Sequence, residues 1–192
     1  MFAAERWADA FIAVCVGSRG AVPALNDAEY AAACEGLDVL RAVAEAWGRR
    51  LRQWRGQRDA GLMRAALESA LQKSGAGAES RPVKAAVAVL ALLVQKNHGA
   101  EALRVSLAVE RRAKALAGVQ DVTLETPAAP DEEFLAQFTA AIARKTGAKK
   151  VLLEKKTRPE LLGGFCVRVG CQRLDYSVAG EIRRMKKAFG AS

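Results

Sequence analysis

The residues that could perform acid–base or nucleophilic chemistry are few in this chain and lie far apart in sequence. His98 is the only histidine among 192 residues, which disfavours histidine-based metal sites and most catalytic triads. Ser177 has no histidine near it in sequence, and the acidic run Asp131-Glu132-Glu133 is typical of the start of a helix. We therefore expect no catalytic residue, no metal site and no bound cofactor.

The pair Gly163-Gly164 is the only candidate for a phosphate-binding loop. A P-loop follows a strand, ends in Gly-Lys-Ser/Thr and leads into a helix. Here the glycines precede the alternating segment Phe165–Val169, and no Lys-Ser/Thr follows them. We expect these glycines to allow a close backbone approach or unusual backbone dihedral angles.

The four cysteines form no pattern typical of a metal site. Cys15 and Cys34 lie in alanine-rich segments, where a thiol packs as a small apolar group. In an extended strand the α-carbons of Cys166 and Cys171 would be about 16 Å apart, beyond the reach of a disulfide, which is about 7 Å. A hairpin turn would shorten that distance, but no second ligand pair exists to complete a zinc site. All four are expected to be free, reduced thiols.

The densest basic segment, residues 49–58, interleaves arginines with Trp54. Such a segment could hold phosphates and stack a base. Leu51 and Trp54 also continue a buried helical stripe, which would leave the arginines as the solvated end of a helix. An RNA-binding helical module therefore stays open as an alternative function, and a steep loss of affinity with salt would identify it. A small enzyme is a third alternative, which only substrate turnover would support.

A second basic run, Arg183-Arg184-Met185-Lys186-Lys187, belongs to the last predicted helix. Its cations could form a solvated face, or could bind an acidic partner helix or an anionic membrane surface. The net charge of +9 is not concentrated there, because the first 117 residues hold 17 basic and 12 acidic residues and the rest hold 13 and 9. We interpret the charge as a background that favours acidic partners.

Alanine divides the chain into two parts. Thirty of the 40 alanines lie in the first 117 residues, and alanine is the strongest helix former. Apolar stripes predict helices over Phe2–Val16, from Asn26 or Asp27 to Gly56, over Arg58–Lys73, from Pro82 to Asn97, and over Ala100–Ala117. The positions expected to face inward include Trp7, Phe11, Val14, Cys15, Leu62, Ala66 and Leu67.

At Gly118 the pattern changes to strands. Val119–Thr126 alternates, which predicts a half-buried strand with Val122 and Leu124 inward. Further predicted elements are a helix capped by Asp131 and ended by Gly147, strands over Lys150–Glu154, Phe165–Val169 and Gln172–Asp175, and a last helix capped by Ser177 with the inward stripe Val178, Ile182, Met185 and Phe189. The predicted fold class is α+β: an all-helical bundle of five to six helices over residues 1–117, then a small α/β domain with a short sheet and two helices over residues 118–192.

No segment predicts a membrane span or a targeting peptide. The longest apolar run, Val83–Val94, is interrupted by Lys84 and is shorter than the about 20 residues that a bilayer requires. The first turns carry Glu5, Arg6 and Asp9, whereas secretory and transit peptides are poor in acidic residues. We expect a chain that is soluble and cytosolic, or one that is already processed, and the expected free thiols agree with a reducing compartment.

The last third of the chain carries the most specific motif. Arg158-Pro-Glu-Leu-Leu-Gly-Gly-Phe-Cys-Val-Arg-Val-Gly170, followed by Leu174-Asp-Tyr-Ser-Val178, resembles the signature of the delta subunit of F-type ATP synthase, the family of the mitochondrial oligomycin sensitivity conferral protein. Arg6-Trp-Ala-Asp-Ala-Phe11 is similar to the family's first-helix motif, and Gln95-Lys-Asn-His-Gly99 is similar to its polar break between the last two bundle helices. The chain departs from the family at Arg158, Cys171 and Trp7, where Asp, an acidic or amide residue, and Tyr are commoner.

The resemblance implies a non-catalytic stator subunit. In this family the helical domain binds the N-terminal helices of the alpha subunits, and the C-terminal domain meets the C-terminal end of the b subunits of the peripheral stalk. This connection resists the torque of rotation, so that proton-driven rotation is coupled to ATP synthesis. The resemblance also implies a protein that is monomeric alone, binds no nucleic acid, and is held peripherally at the cytoplasmic face of a bacterial inner membrane.

The resemblance also suggests site residues. Candidate contacts for the alpha-subunit helix are Trp7, Phe11 and Leu107, on the first and fifth predicted helices. Periodicity does not decide which of their faces is groove and which is core. We assign Gly163, Gly164, Asp175 and Ser177 to the architecture of the C-terminal motif.

Overall fold

The computed structural model describes residues 4–18, 20, 22–54, 56–74, 80–170 and 172–190. The chain divides into two compact units, Met1–Ala117 and Gly118–Ser192. This division falls where the alanine-rich helical pattern gives way to strands. Of the features predicted above, Phe2 at the start of the first predicted helix, Arg55 within the basic segment and Cys171 lie outside the described residues.

The first unit is a bundle of α-helices. They are α1 (Ala4–Val16), α2 (Asp27–Ala46), α3 (Gly48–Gln53), α4 (Gly56–Ser74), α5 (Arg81–Gln95) and α6 (Ala102–Ala117). Helix α5 packs against α1, α2 and α4, and nine of its 15 residues are buried. Its inward side chains are alanines, valines and leucines without polar atoms, so neighbouring helices can surround it. No helix among the described residues has the length and apolar character needed to cross a membrane.

The helix ends follow ordinary capping chemistry. Asn26 caps α2 by accepting a hydrogen bond from the backbone N–H of Glu29, whose carboxylate accepts one from the backbone N–H of Asn26. Ser80 caps α5, and Pro82 lies in its first turn. Asn97 follows α5 with a φ of 63°, a left-handed conformation that asparagine tolerates better than most residues. The predicted helix boundaries at these positions are confirmed.

One predicted helix is two helices in the structure. Trp47 has φ −108° and ψ 12°, and it ends α2 and begins α3. Gly48 follows it directly, and glycine weakens a helix interior because it gains backbone freedom when the helix opens. The rings of Trp47 and Trp54 then meet edge to face, with centroids 5.8 Å apart. Leu51, between them, is buried as predicted.

In two predicted helices, some residues that were expected to face the core are exposed. Val14 on α1 and Leu62 on α4 were expected to face inward, but their exposed fractions are 51% and 60%. Ala66 is exposed as well, whereas Met63 is completely buried. Helix α4 packs mainly against the single helix α5, so only a narrow stripe of its surface is covered.

The second unit is a four-stranded sheet with two helices. Its elements are β1 (Val119–Thr126), α7 (Glu132–Thr146), β2 (Lys150–Thr157), β3 (Gly164–Val169), β4 (Gln172–Ser177) and α8 (Val178–Ala188), with a short 3-10 turn at Pro159–Leu161. The strand order is β2-β1-β3-β4. Strand β1 pairs parallel with β2 and antiparallel with β3, which pairs antiparallel with β4. Strand β2 extends three residues beyond the predicted Glu154.

One face of this sheet forms the core of the unit. In register, Val122 lies opposite Leu153 of β2 and Val169 of β3, and Ile142 of α7 packs on this face. Val122 and Leu124 are buried as predicted. Asp131 has the N-cap position of α7 but its side chain makes no capping hydrogen bond.

Candidate protein-binding surfaces

The described part of the chain holds no cluster of metal-binding side chains. Within it, no group of three or more His, Cys, Asp or Glu residues is placed to hold a metal ion. Cys15, Cys34 and Cys166 are free thiols. Burial, and to a lesser extent the nearby Glu35 carboxylate, raises the pKa of the Cys15 thiol to about 12, which keeps it protonated and unreactive.

The glycine pair Gly163-Gly164 brings two backbone segments together. Gly164 has a φ of +70°, and a Cβ atom there would lie 2.2 Å from the carbonyl oxygen of Tyr176. The carbonyl of Gly163 accepts a hydrogen bond from the N–H of Val178 at 3.1 Å. These contacts place the start of α8 beside the start of β3. The predicted close backbone approach is therefore observed.

Asp175 and Ser177 build the start of α8. The Ser177 hydroxyl accepts a hydrogen bond from the backbone N–H of Gly180 at 3.0 Å, as predicted for a cap. The Asp175 carboxylate accepts hydrogen bonds from the Ser177 hydroxyl and from its backbone N–H. These bonds, with the nearby charges of Arg183 and Arg173, lower the pKa of Asp175 below its usual value.

Gly180 completes this arrangement. This residue was not singled out from the sequence. A Cβ atom at Gly180 would lie 2.6 Å from a carboxylate oxygen of Asp175, so no other residue fits without displacing Asp175. Arg183 donates to the Asp175 carboxylate and Arg184 donates to its backbone carbonyl, both at 3.2 Å. The side of α8 that touches the rest of the unit is thus its polar side.

The predicted inward stripe of α8 is consequently exposed. Val178, Ile182, Met185 and Phe189 have exposed fractions of 45%, 41%, 52% and 86%. This corrects the prediction that the stripe is core. The physical reason is that Asp175 holds the opposite side of the helix, because it accepts hydrogen bonds from Arg183 and Arg184. We call these four residues the α8 stripe.

In the first unit, Phe11 is part of the core and does not present a surface. Its side chain is completely buried, and its ring lies where a Cβ atom at Gly36 of α2 would be, next to the carbonyl of Pro82 in α5. A partner could reach Phe11 only if the bundle opened. The expectation that Phe11 contacts a partner is corrected here.

Trp7 and Leu107 do not share one groove. The Arg112 guanidinium donates to the Asp9 carboxylate at 2.7 Å, which marks the sides of α1 and α6 that face each other. Trp7 is about 160° around α1 from Asp9, and Leu107 is about 140° around α6 from Arg112. Trp7 is partly buried against the core, and Leu107 is 53% exposed. Each therefore belongs to a different surface.

A different apolar surface includes Trp7. Val14 is seven residues after Trp7, so both lie on the side of α1 turned away from α6. Helix α1 also packs against α5, whose outer side carries the half-buried Ala88 and, one turn later, the exposed Leu92. We call Trp7, Val14, Ala88 and Leu92 the α1–α5 surface. Sequence reasoning assigned Val14 to the core and did not single out Leu92; only the packing of α1 and α5 distinguishes them.

The described part of the basic segment at residues 49–58 lies in α3 and in the first turn of α4. Arg49 and Arg52 are exposed, while Trp47 and Trp54 pack against the core. The side chain of Arg58 lies outside the described residues. The tryptophans are therefore used for packing, as the helical stripe predicted.

Comparisons with known proteins assign the chain to a family. A family model described as "ATP synthase delta (OSCP) subunit" matches residues 54–189. The chain is 37% identical over 98 residues to "ATP synthase subunit delta" of Magnetococcus marinus, covering 51% of this chain and 53% of that one. It is 30% identical over 103 residues to the protein of the same name from Cytophaga hutchinsonii, covering 54% and 56%. The chain thus spans about half the length of the curated relatives that it matches.

A solved structure shares the fold. A chain of the mitochondrial ATP synthase hexamer of Toxoplasma gondii superposes with a TM-score of 0.59 at 17% identity, covering 100% of this chain and 99% of that one. None of these comparisons supports the RNA-binding alternative. The family model covers more than half of the chain, including the glycine pair, Asp175 and α8. The chain belongs to the ATP synthase delta (OSCP) subunit family.

Proposed function

We propose that this chain is a non-catalytic peripheral-stalk subunit of F-type ATP synthase, which links the catalytic head to the stalk. The observation that carries the proposal is that each compact unit has its own exposed apolar helix surface. The α1–α5 surface belongs to the first unit and the α8 stripe to the second. A chain with two such surfaces can hold two partners at once, as a stator must.

The partner of the first unit is the N-terminal helix of an alpha subunit. The α1–α5 surface combines the exposed Val14 and Leu92 with the small Ala88, which suits the apolar face of an amphipathic helix. Arg6 and Lys96 are exposed at its edges and favour an acidic partner. Leu107 remains a candidate contact on the separate outer side of α6.

The partner of the second unit is the C-terminal part of a b-type stalk subunit. The α8 stripe runs along the whole helix, about 16 Å at 1.5 Å per residue, and it is unpartnered within the described part of the chain. Attachment through these two partners would hold the protein peripherally at the cytoplasmic face of a bacterial inner membrane.

Reconstitution tests this function. The full chain is mixed with catalytic heads stripped of their delta subunit and with the soluble segment of a b-type subunit, and the mixture is separated by size-exclusion chromatography. We expect one species that contains all three components, and no joining of head and stalk segment without the chain. A chain that binds neither component would contradict the proposal.

Matched variants locate the head-binding surface. Val14→Ser and Leu92→Ser should each weaken binding to the head about tenfold, because they remove exposed apolar contacts without touching the core. Leu62→Ser is the control, since Leu62 on α4 is at least as exposed as Val14 and Leu92. Equal binding by all three variants would remove the α1–α5 surface from the proposal.

A further inference from the structure

A row of side chains along α7 changes from aromatic to basic. Phe134, Phe138, Ala141 and Lys145 follow one another at intervals of four, three and four residues, which is the spacing of a seam between two packed helices. Arg144 lies beside the last of them, and we call these five residues the α7 seam. Its two aromatic residues are half-buried and the other three are exposed. The α7 seam therefore has the spacing of a helix contact and an open outer half.

The sheet beside the α7 seam continues this apolar surface. Helix α7 packs mainly on β2, whereas Phe165 and Tyr176 are paired across β3 and β4. The ring of Phe165 lies 6.0 Å from that of Phe134 and 5.8 Å from that of Phe138, centroid to centroid. It lies 5.4 Å from the ring of Tyr176, which is 56% exposed. Four aromatic rings thus form one open surface between α7 and β4.

The basic end of the α7 seam is not neutralised. Arg144 and Lys145 make no ion pair within the described residues, and positions 134–153 hold no acidic residue. Asp121 of β1 directly precedes Val122, which packs on the α7 face of the sheet, so the carboxylate of Asp121 points to the other face. The carbonyl groups that end α7 carry only about half a negative charge. Positive charge therefore remains for a partner.

The α7 seam lies on the opposite face of the sheet from α8. Asp175, which holds α8 through Arg183, and Tyr176 are neighbours in β4, so their side chains point to opposite faces. Arg184 also donates to the backbone carbonyl of Asp175 at 3.2 Å, which hinders a further strand from pairing with the edge of β4. The geometry therefore favours a helix as the occupant, and that helix leaves the α8 stripe free.

We propose that the α7 seam binds an amphipathic helix with acidic residues in its last turn. The apolar side of that helix packs on the aromatic rings, its backbone approaches α7 at the small Ala141, and its carboxylates pair with Arg144 and Lys145. The negative end of its dipole faces the same cations. This inference goes beyond the proposed function, because the helix belongs to a polypeptide other than those assigned to the α8 stripe and the α1–α5 surface.

The test measures the binding of two synthetic peptides to the full chain by fluorescence anisotropy. Both are helices of about 15 residues with leucine and alanine on one side, and the last turn holds glutamates in one peptide and lysines in the other. Ala141→Glu should raise Kd of the glutamate peptide about tenfold, because the larger, charged side chain obstructs the middle of the seam. Ala136→Glu is the matched control, since Ala136 is also an exposed alanine of α7, about 140° around the helix from Ala141. It should leave Kd within about twofold.

Charge reversal tests the orientation of the bound helix. Arg144→Glu should raise Kd of the glutamate peptide about fivefold and lower Kd of the lysine peptide, because the paired charges are exchanged. Equal changes for both peptides would contradict the pairing with Arg144.

Three outcomes would overturn the inference and leave the proposed function intact. The first is equal binding of the glutamate peptide by the two alanine variants, or no binding by the parent chain. The second is displacement of the peptide by a saturating b-type stalk segment, because the surface then belongs to the stalk contact. The third is sedimentation with vesicles of phosphatidylglycerol and phosphatidylcholine that Ala141→Glu abolishes, without peptide binding, which would assign the surface to membranes. Circular dichroism checks folding, and Tyr176→Ser on β4 should give the same loss of peptide binding if Ala141→Glu unfolds α7.

Discussion

Helices α5 and α8 carry apolar stripes of the same spacing and use them in opposite ways. In α5 the stripe Val83, Val87, Leu90 and Val94 is at most 4% exposed, because α1, α2 and α4 surround the helix. In α8 every stripe residue is at least 41% exposed, because the helix rests on Asp175 through its polar side. An apolar periodicity therefore predicts that a helix has a binding face, and only the neighbours decide whether that face is core or interface.

The largest expected difference concerns the two stripes themselves. Leu90→Ala should lower the free energy of unfolding by about 2–5 kcal/mol, because it removes buried contacts and leaves a cavity. Ile182→Ala should change it by less than about 0.5 kcal/mol, as for an exposed side chain. Urea denaturation followed by circular dichroism measures both. A comparable loss for Ile182→Ala would mean that the α8 stripe is packed within the chain.

The second test concerns the contacts that hold α8 with its polar side toward the rest of the unit. Gly164→Ala should destabilise the C-terminal unit by about 1–3 kcal/mol more than Gly147→Ala, because the new methyl group would collide with the carbonyl of Tyr176. Gly147 is a suitable control, since its φ of +69° is nearly the same but its surroundings are open. Thermal unfolding of the two variants gives the difference. Equal losses would show that the dihedral angle alone matters and that the close approach does not.

A smaller effect is expected from the cap of α8. Ser177→Ala should cost about 1 kcal/mol, because it removes the hydrogen bond to the N–H of Gly180. Asp131→Ala should cost less, since Asp131 stands at the same position of α7 without a side-chain hydrogen bond. Urea titrations of both variants compare the two caps. If Asp131→Ala is the more costly, side-chain capping is not what secures α8.

The smallest expected effect is a dependence on pH in the bundle. Hydrogen bonds from Lys114 and Arg41 lower the pKa of Glu110 below its usual 4.5. A carboxylate whose pKa is lower in the folded state stabilises the protein fully above the unfolded value, and that contribution is lost as pH falls through the folded pKa. Stability should therefore decline below about pH 4.5, with a shallower slope in Glu110→Gln. Unfolding free energies from pH 7 to 3 measure this, and identical slopes would exclude Glu110 as a contributor.

Local features of the fold were predictable because they depend on residues close in sequence. The cap at Asn26, the start of α5 at Pro82 and the half-buried alternation of β1 each follow from short-range chemistry. The glycine pair was also recognisable, since two glycines before a strand indicate a backbone constraint. The backbone group that Gly164 approaches, the carbonyl of Tyr176, was not predictable, because it depends on the pairing of β3 with β4.

The candidate surfaces were predictable only in part, because exposure depends on which helices are neighbours. Phe11 and Val14 are three residues apart in one apolar stripe, and one is completely buried while the other is half exposed. Trp7 and Leu107 both had the composition of a contact residue, but the ion pair of Asp9 with Arg112 separates their surfaces. Apolar periodicity describes one helix at a time, so it does not predict which helices pack side by side.

By itself the amino-acid sequence determined most of the helical and strand elements, the change at Gly118 and the motif that resembles the family. These depend on propensities, caps and spacing within short segments. Tertiary structure alone decided that the α8 stripe faces outward, that Phe11 is core, and that Arg158 and Arg173, which are distant in sequence from Glu125, both pair with it. The physical reason is that burial and charge pairing are properties of packed neighbours, which are distant in sequence.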